Sequence, residues 1–160
     1  RRSSDLEPQA LLTPTSKITG LDGRKMSKSY GNGIDLREAP AAVEQKIKRM
    51  PTDPKRARRT DPGNPDDCPV FTLHQVYSND ATKAWVRQGC TTAGIGCLEC
   101  KQPVIDAVNT ELAPMQARIK EIDARPGYVR EVLGDGCARA RRVAEATMQD
   151  VRQAMGLANL

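Results

Sequence analysis

Residues 98–124 read LECKQPVIDAVNTELAPMQARIKEIDA, and this stretch decides the fold class. Val104, Val108, Leu112, Met115, Ile119 and Ile122 recur at the period on which α-helical side chains return to one face. Charged and amide side chains fill the positions between them. A helix from about Leu98 to Ala124 with one such stripe must bury it against other helices. Pro114 falls inside the pattern. It removes one backbone donor and is expected to kink the helix or split it in two.

Downstream, Pro126-Gly127 stops the pattern. Tyr128–Leu133 reads as a short helix, and Asp135 is placed to cap a last one that Gly156 closes. On that last helix Ala140, Val143, Ala144, Thr147, Met148, Val151, Ala154 and Met155 are expected to face inward. Upstream, Val70, Phe71, Leu73, His74, Val76 and Tyr77 suggest a short buried helix. Asn79 or Asp80 caps another, running to about Gln88 and carrying the only tryptophan, Trp85. Gly89–Gly96 connects it to the long helix. Val43, Ile47 and Met50 mark a helix that starts near Leu36, capped by Asp35, with Pro40 in its first turn and Pro51 as its stop. Prolines 51, 54, 62, 65 and 69 make Pro51–Pro69 a loop, with room for one helical turn at Lys55–Arg59. Residues 1–20 are polar and extended, with room for a short strand at Ala10–Leu12.

The fold class is therefore mainly α: a helical bundle over residues 35–160, preceded by an extended, loop-bearing segment over residues 1–34. Aromatic residues make up only 3% of the chain, too few for a β-sandwich core. No stretch approaches the ~20 apolar residues of a membrane span. Arg1-Arg2-Ser3-Ser4-Asp5 lacks the apolar segment of a signal peptide, so a cytoplasmic protein with no membrane partner is expected. The net charge of +5 permits a polyanionic partner without requiring one.

Lys25-Met26-Ser27-Lys28-Ser29 carries the first chemistry. Two ammonium groups with two hydroxyls, in a loop bounded by Gly20-Leu21-Asp22-Gly23 and Gly31-Asn32-Gly33, suit phosphate oxygens. Lysines that meet charge growing on a departing phosphoanhydride lower the barrier to its departure. By itself, a polar loop with two lysines is more often plain solvated surface.

Cys68, Cys90, Cys97 and Cys100 carry the second, with the spacing C-x21-C-x6-C-x2-C. In a reducing compartment such clustering points to metal rather than disulfides. Four thiolates satisfy either tetrahedral Zn²⁺ or a [4Fe–4S] cluster, and spacing does not choose between them. Cys137 lies outside the pattern and reads as a packed free thiol.

Lys46, Lys48, Arg49, Lys55, Arg56, Arg58 and Arg59 oppose a single acid, Asp53. They read either as a solvated helix end or as contacts for RNA phosphates and unpaired bases, with Lys48, Arg49, Arg56, Arg58 and Arg59 the candidates. Arg139, Arg141 and Arg142 form a weaker second group.

Lys25 to Ser29 spells the KMSKS signature of class I aminoacyl-tRNA synthetases. Gly20–Arg24, Tyr30-Gly31-Asn32, Thr52-Asp53-Pro54, Thr60-Asp61-Pro62-Gly63 and Phe71-Thr72-Leu73-His74 narrow the resemblance to the bacterial-type tryptophanyl-tRNA synthetases, over about Glu7 to Leu157. The resemblance implies that residues 1–34 are the tail of a Rossmann-like catalytic domain and that residues 35–160 are an anticodon-binding domain. It also implies an ATP-binding set of Lys25, Met26, Ser27, Lys28 and Ser29. Lys25 and Lys28 would be catalytic, Lys28 nearer the pyrophosphate, with Met26 packing the loop. Asp22 and Asn32 would hold the turn. Expected substrates and partners are ATP with Mg²⁺, L-tryptophan and tRNA(Trp), in a homodimer. A subset of the family resembles this cysteine arrangement and carries a [4Fe–4S] cluster, which favours the cluster over Zn²⁺. The HIGH-type motif and the amino-acid pocket of the family are absent, so the chain is expected to be a carboxy-terminal part, inactive alone. The alternative is a stand-alone RNA-binding or regulatory module. His74 is expected to pack rather than catalyse.

Overall fold

The computed structural model describes residues 9–13 and 15–157. Those residues form five α-helices: α1 Pro40–Arg49, α2 Pro69–Tyr77, α3 Asp80–Thr91, α4 Cys97–Asp123 and α5 Tyr128–Ala154. Among them there is no strand, only an isolated antiparallel bridge between Thr19 and Lys25. The mainly α expectation holds. Ala10–Leu12 has no strand partner among the described residues and is not a strand, and Leu11 is almost wholly exposed. The extended reading of residues 1–8 lies outside the described residues.

The chain divides into two compact units, Arg1–Met115 and Gln116–Leu160. The core of the first is built by α1, α2 and the first part of α4. Val43, Ile47 and Met50 pack with Val70 and Leu73 and with Val104, Ile105, Val108 and Leu112. These are the apolar stripes of three helices, and burying them drives the unit together. Leu21 and Ile34, which flank the Lys25–Ser29 loop, lean on the same cluster and so seat the loop on the bundle.

Helix boundaries differ from expectation where a turn-forming side chain resembles a cap. α1 starts at Pro40, which suits the first turn because its missing amide would be unpartnered there anyway. Asp35 instead closes a turn of its own, accepting from the Arg37 amide at 2.8 Å. Asn79 does cap α3, taking the Thr82 amide at 2.8 Å, and α3 runs on through Gly89 to Thr91. α4 continues through both Pro103 and Pro114 rather than splitting. The carbonyls those prolines cannot serve belong to Glu99 and Thr110, both exposed residues.

In the second unit, Tyr128–Ala154 is one helix, not two. It has no buried residue: Val143 and Met155 are largely exposed, and so is Cys137, expected as a packed thiol. Gly156, at φ 74, ends it as expected, with the Leu157 amide donating back to the Arg152 carbonyl at 2.7 Å. Among the described residues no helix is long and apolar enough to cross a membrane.

Candidate phosphate loop and four-cysteine site

Asn32, only 4% exposed, organises the Lys25–Ser29 loop. Its Nδ2 donates to Asp22 Oδ1 at 2.7 Å and to the Lys25 carbonyl at 3.1 Å, while its Oδ1 accepts the Ser27 amide at 2.8 Å. One amide therefore ties the start, middle and end of the loop together. Gly20 makes room for it: a Cβ there would lie 2.4 Å from Asn32 Nδ2. Lys28–Tyr30 is a single 3-10 turn, closed by Gly31 at φ 62, a left-handed conformation that glycine adopts without strain. Ser27 Oγ and Ser29 Oγ are 2.9 Å apart and share a hydrogen bond.

Met26 turns into an apolar cleft with Leu21, Ile34, Leu73 and Leu112, so it anchors the loop while its neighbours face out. Lys25 and Lys28 are exposed, and among the described residues neither is in an ion pair. Arg24 instead pairs with Asp22 at 2.7 Å and stacks on Tyr30. Two unneutralised ammonium groups thus project from a loop whose backbone is fixed, an arrangement suited to a multiply charged phosphate ligand.

Cys68, Cys90, Cys97 and Cys100 all line one small pocket, together with Thr52, Asp53, Arg56 and Val70. Cys68 caps the start of α2, Cys90 lies in the last turn of α3, and Cys97 and Cys100 begin α4. Three helix ends therefore converge to bring together thiols that are distant in sequence. Burial pushes the Cys100 thiol up to about 12, and the neighbouring Cys68, Cys90 and Cys97 push it the same way. Burial also raises Cys90. Such thiols do not ionise unaided at neutral pH; a metal would displace their protons on binding.

Among the described residues no three His, Cys, Asp or Glu side chains stand close enough together to close on a single ion. The donor set nevertheless fits a sulfur-bound group. All four donors are soft, and the pocket wall includes a buried cation, Arg56, whose Nε has no hydrogen-bond partner. Arg56 Nη1 lies 4.0 Å from Cys90 Sγ, and its Nη2 donates to the carbonyls of Ile95 at 2.7 Å and Arg59 at 2.9 Å. Asp53, 4% exposed, holds the same loop by accepting the amides of Lys55 at 2.9 Å and Asn64 at 2.7 Å.

The basic set is not uniform. Arg56 is buried rather than facing solvent, because its guanidinium serves the carbonyls that close the loop. Lys46 and Lys48 pair with Glu38 and Glu44. Arg59 pairs with Glu99 at 3.3 Å, and both are exposed. Arg49 and Arg58 are exposed and, among the described residues, in no ion pair. Arg58 and Arg59 line an open cleft with Leu98 and Glu99, at the edge of the cysteine pocket. His74 is fully buried and packs: Nε2 meets the Cys100 carbonyl at 3.0 Å, and Nδ1 meets Ser78 Oγ at 2.8 Å. Burial holds it below the usual histidine range, so it is neutral near pH 7.

Sequence reasoning misses two residues here. Asp53 stands out only as the one acid in a basic stretch, and Lys101 not at all, although it is 3% exposed. A lysine one position after Cys100 in an amphipathic pattern carries no signal of burial.

Residues 1–113 match the family described as tRNA synthetases class I (W and Y). The chain is 57% identical over 151 residues to the tryptophan–tRNA ligase of Ralstonia nicotianae, covering 94% of this chain and 38% of that protein. It is 48% identical over 152 residues to that of Thermotoga maritima, covering 94% and 46%. The crystal structure of tryptophanyl-tRNA synthetase from Campylobacter jejuni, complexed with ADP and tryptophan, superposes with a TM-score of 0.74 at 26% identity, over 88% of this chain and 44% of that one. The chain thus spans less than half the length of these relatives.

Proposed function

The chain belongs to the class I tRNA synthetases of the tryptophan and tyrosine family, and from that premise we propose that it supplies the ATP-phosphate loop and the RNA-facing helical part of a tryptophan–tRNA ligase. The observation that carries this reading is the pair of exposed lysines, Lys25 and Lys28, in no ion pair among the described residues, on a loop held by Asn32. In the proposed reaction the tryptophan carboxylate attacks the α-phosphorus of Mg-ATP, tryptophanyl-adenylate forms, and pyrophosphate leaves. Negative charge grows on the departing oxygen as that bond breaks. Ammonium groups placed there bind the transition state more tightly than bound ATP, which raises the rate rather than only the affinity. A terminal hydroxyl of tRNA(Trp) then takes the tryptophanyl group, and AMP leaves.

In this reading residues 1–34 close the catalytic domain, and residues 35–160 meet the anticodon end of tRNA. Lys48, Arg49, Arg58 and Arg59 are the proposed RNA contacts, because their side chains are exposed. Arg56 would act behind them by shaping the loop. A homodimer and cytoplasmic residence belong to the same reading. The four cysteines would hold a [4Fe–4S] cluster, which spreads its thiolates wider than one tetrahedral ion does. Four soft donors lining one pocket support that reading. A bound cluster would supply structural bracing. Arg56 would donate toward its sulfurs, and Asp53 would keep Arg56's loop in place.

The test is a graft. Residues 15–157 replace the matching stretch of the Ralstonia ligase, and tryptophan-dependent ATP–pyrophosphate exchange is measured. The graft should exchange at a rate near that of the parent. Lys25→Ala and Lys28→Ala should each slow it about 100-fold or more, with little change in tryptophan binding. A graft as fast with both lysines removed as with both present would sink the proposal.

A further inference from the structure

Behind the Lys25–Ser29 loop lies a cleft of about 160 Å³, lined by Leu73, Val108 and Leu112 of the core and by Met26 of the loop. All of its lining falls within the first compact unit. The Met26 amide donates to the Ile18 carbonyl at 2.9 Å, and both residues face the cleft, so the two stems of the loop form one wall. The stems cover the apolar stripes of α2 and α4 only in part. Leu36 and Met115 also line the cleft, and they are 54% and 39% exposed.

One charge interrupts this apolar lining. Glu111, exposed on α4, is the only charged residue that lines the cleft among the described residues. It accepts a hydrogen bond from the half-buried Tyr77 hydroxyl, and among the described residues it is in no ion pair. The Tyr77 proton is spent on Glu111, so the pair offers acceptors and negative charge.

Volume and charge together select a ligand. An apolar cavity of about 150 Å³ takes one benzene ring. An ammonium on a short chain from such a ring can meet a carboxylate at the edge of the cleft, whereas a carboxylate on the same chain is repelled there. A mostly apolar recess with one oriented polar group has the make-up of a small-molecule site.

We propose that this cleft binds a small arylalkylamine, its ring seated on Leu73, Val108 and Leu112 against Met26 and its ammonium at Glu111. The site goes beyond the phosphate chemistry proposed for Lys25 and Lys28 and does not depend on it. An α-amino acid is the wrong ligand, because its own carboxylate would face Glu111. A ring that packs on Met26 favours the seated loop over any state in which Met26 has left the cleft. Occupancy is thereby felt by the loop that carries the two lysines.

The test uses the full chain with methyl-labelled methionine and three probes of one shape: phenethylamine, phenethyl alcohol and phenylpropionate. The amine should bind with a Kd of about 0.1–1 mM. It should shift the Met26 and Met115 methyls and leave that of Met50, which packs in the core outside the cleft, in place. The alcohol should bind about three- to tenfold more weakly, and the carboxylate more weakly still. Glu111→Gln should bring the amine down to the affinity of the alcohol. Leu36→Trp fills the cleft from an exposed position and should abolish binding of all three. Bound amine should also slow exchange of the Ser27 amide. Calorimetry with the Ralstonia graft, tryptophan present and the Leu36→Trp graft as blank, should give the same affinity. An amine that binds the chain but not the graft would show that the rest of the ligase covers the cleft, and overturns the inference. Equal affinity for amine and alcohol, or binding unmoved by both Glu111→Gln and Leu36→Trp, overturns it too. None of these outcomes bears on the lysine variants of the graft, so the phosphate reading is judged separately.

Discussion

The side-chain amide of Asn32 donates to the carboxylate of Asp22 at 2.7 Å, across ten residues of loop, and among the described residues no other side chain holds both ends of the KMSKS segment. The pair lies beside Gly20, which has no Cβ to obstruct it. Removing the amide in Asn32→Ala deletes three hydrogen bonds at a buried position. The expected loss of stability is about 1–3 kcal/mol, read from the denaturant midpoint. Exchange of the Ser27 amide should quicken more than that of the α1 amides. Equal change everywhere would mean that Asn32 supports the whole unit rather than the loop.

The same pair sets a pH dependence. Asp22 is lowered from 3.8 to about 2, chiefly by the hydrogen bond from Asn32, and further by the Arg24 amide and guanidinium. Its folded value lies below its unfolded one, so the ionised form stabilises the loop. That contribution is complete above about pH 4 and fades as pH falls through 2. A carboxyl-carbon NMR titration should give a midpoint near 2 for Asp22, moving up toward 3.8 in Asn32→Ala. A native midpoint near 3.8 would contradict the hydrogen-bonded geometry.

Arg58 and Arg59 stand at the open cleft, and only Arg59 is tethered, to Glu99 at 3.3 Å. An exposed ion pair of this kind is worth little to folding. Charge reversal in Arg58→Glu/Arg59→Glu should therefore leave the thermal midpoint nearly unchanged. Affinity for tRNA should fall, and the slope of log affinity against log salt should flatten by about 1–2, one for each phosphate that is no longer neutralised. Arg56→Met should behave differently, lowering stability, since its guanidinium holds the Ile95 and Arg59 carbonyls. An unaltered salt slope in the double variant would remove these two residues from the proposed RNA contacts.

How legible each part is follows from what a sequence pattern records. The stripe Val104, Val108, Leu112 repeats at the helical period, so the helix and its buried face are readable. KMSKS is contiguous, so its loop is readable as well. Asn32 is only a plausible turn residue until its three hydrogen bonds are seen. Arg56 and Arg58 are two residues apart in a basic run, and nothing local separates the one that is buried from the one that is not. That difference comes from Ile95 and Arg59, whose carbonyls face Arg56 only once the chain has folded. Lys101 is obscured in the same way: its partners, Lys48 and Met50, lie about fifty residues away.

Gly134-Asp135-Gly136 reads as a break, yet α5 passes through it. Two glycines lower helix propensity, and Asp135 invites a cap. The opposing forces are the helical residues on both sides and a salt bridge from Asp135 to Arg139 at 3.3 Å, spaced i,i+4 on the helix surface. A Cβ built on either glycine meets nothing within 4 Å, and neither has a positive φ. Alanine therefore fits the native backbone at both sites and removes freedom only from the unfolded chain. Gly134→Ala and Gly136→Ala should each stabilise α5 by about 0.5–1 kcal/mol, seen as raised helical circular dichroism and slower exchange of the amides around residue 138. If the chain instead broke into two helices at this point, alanine would force a turn into a helix. The double variant would then lose stability and α5 would gain no protection.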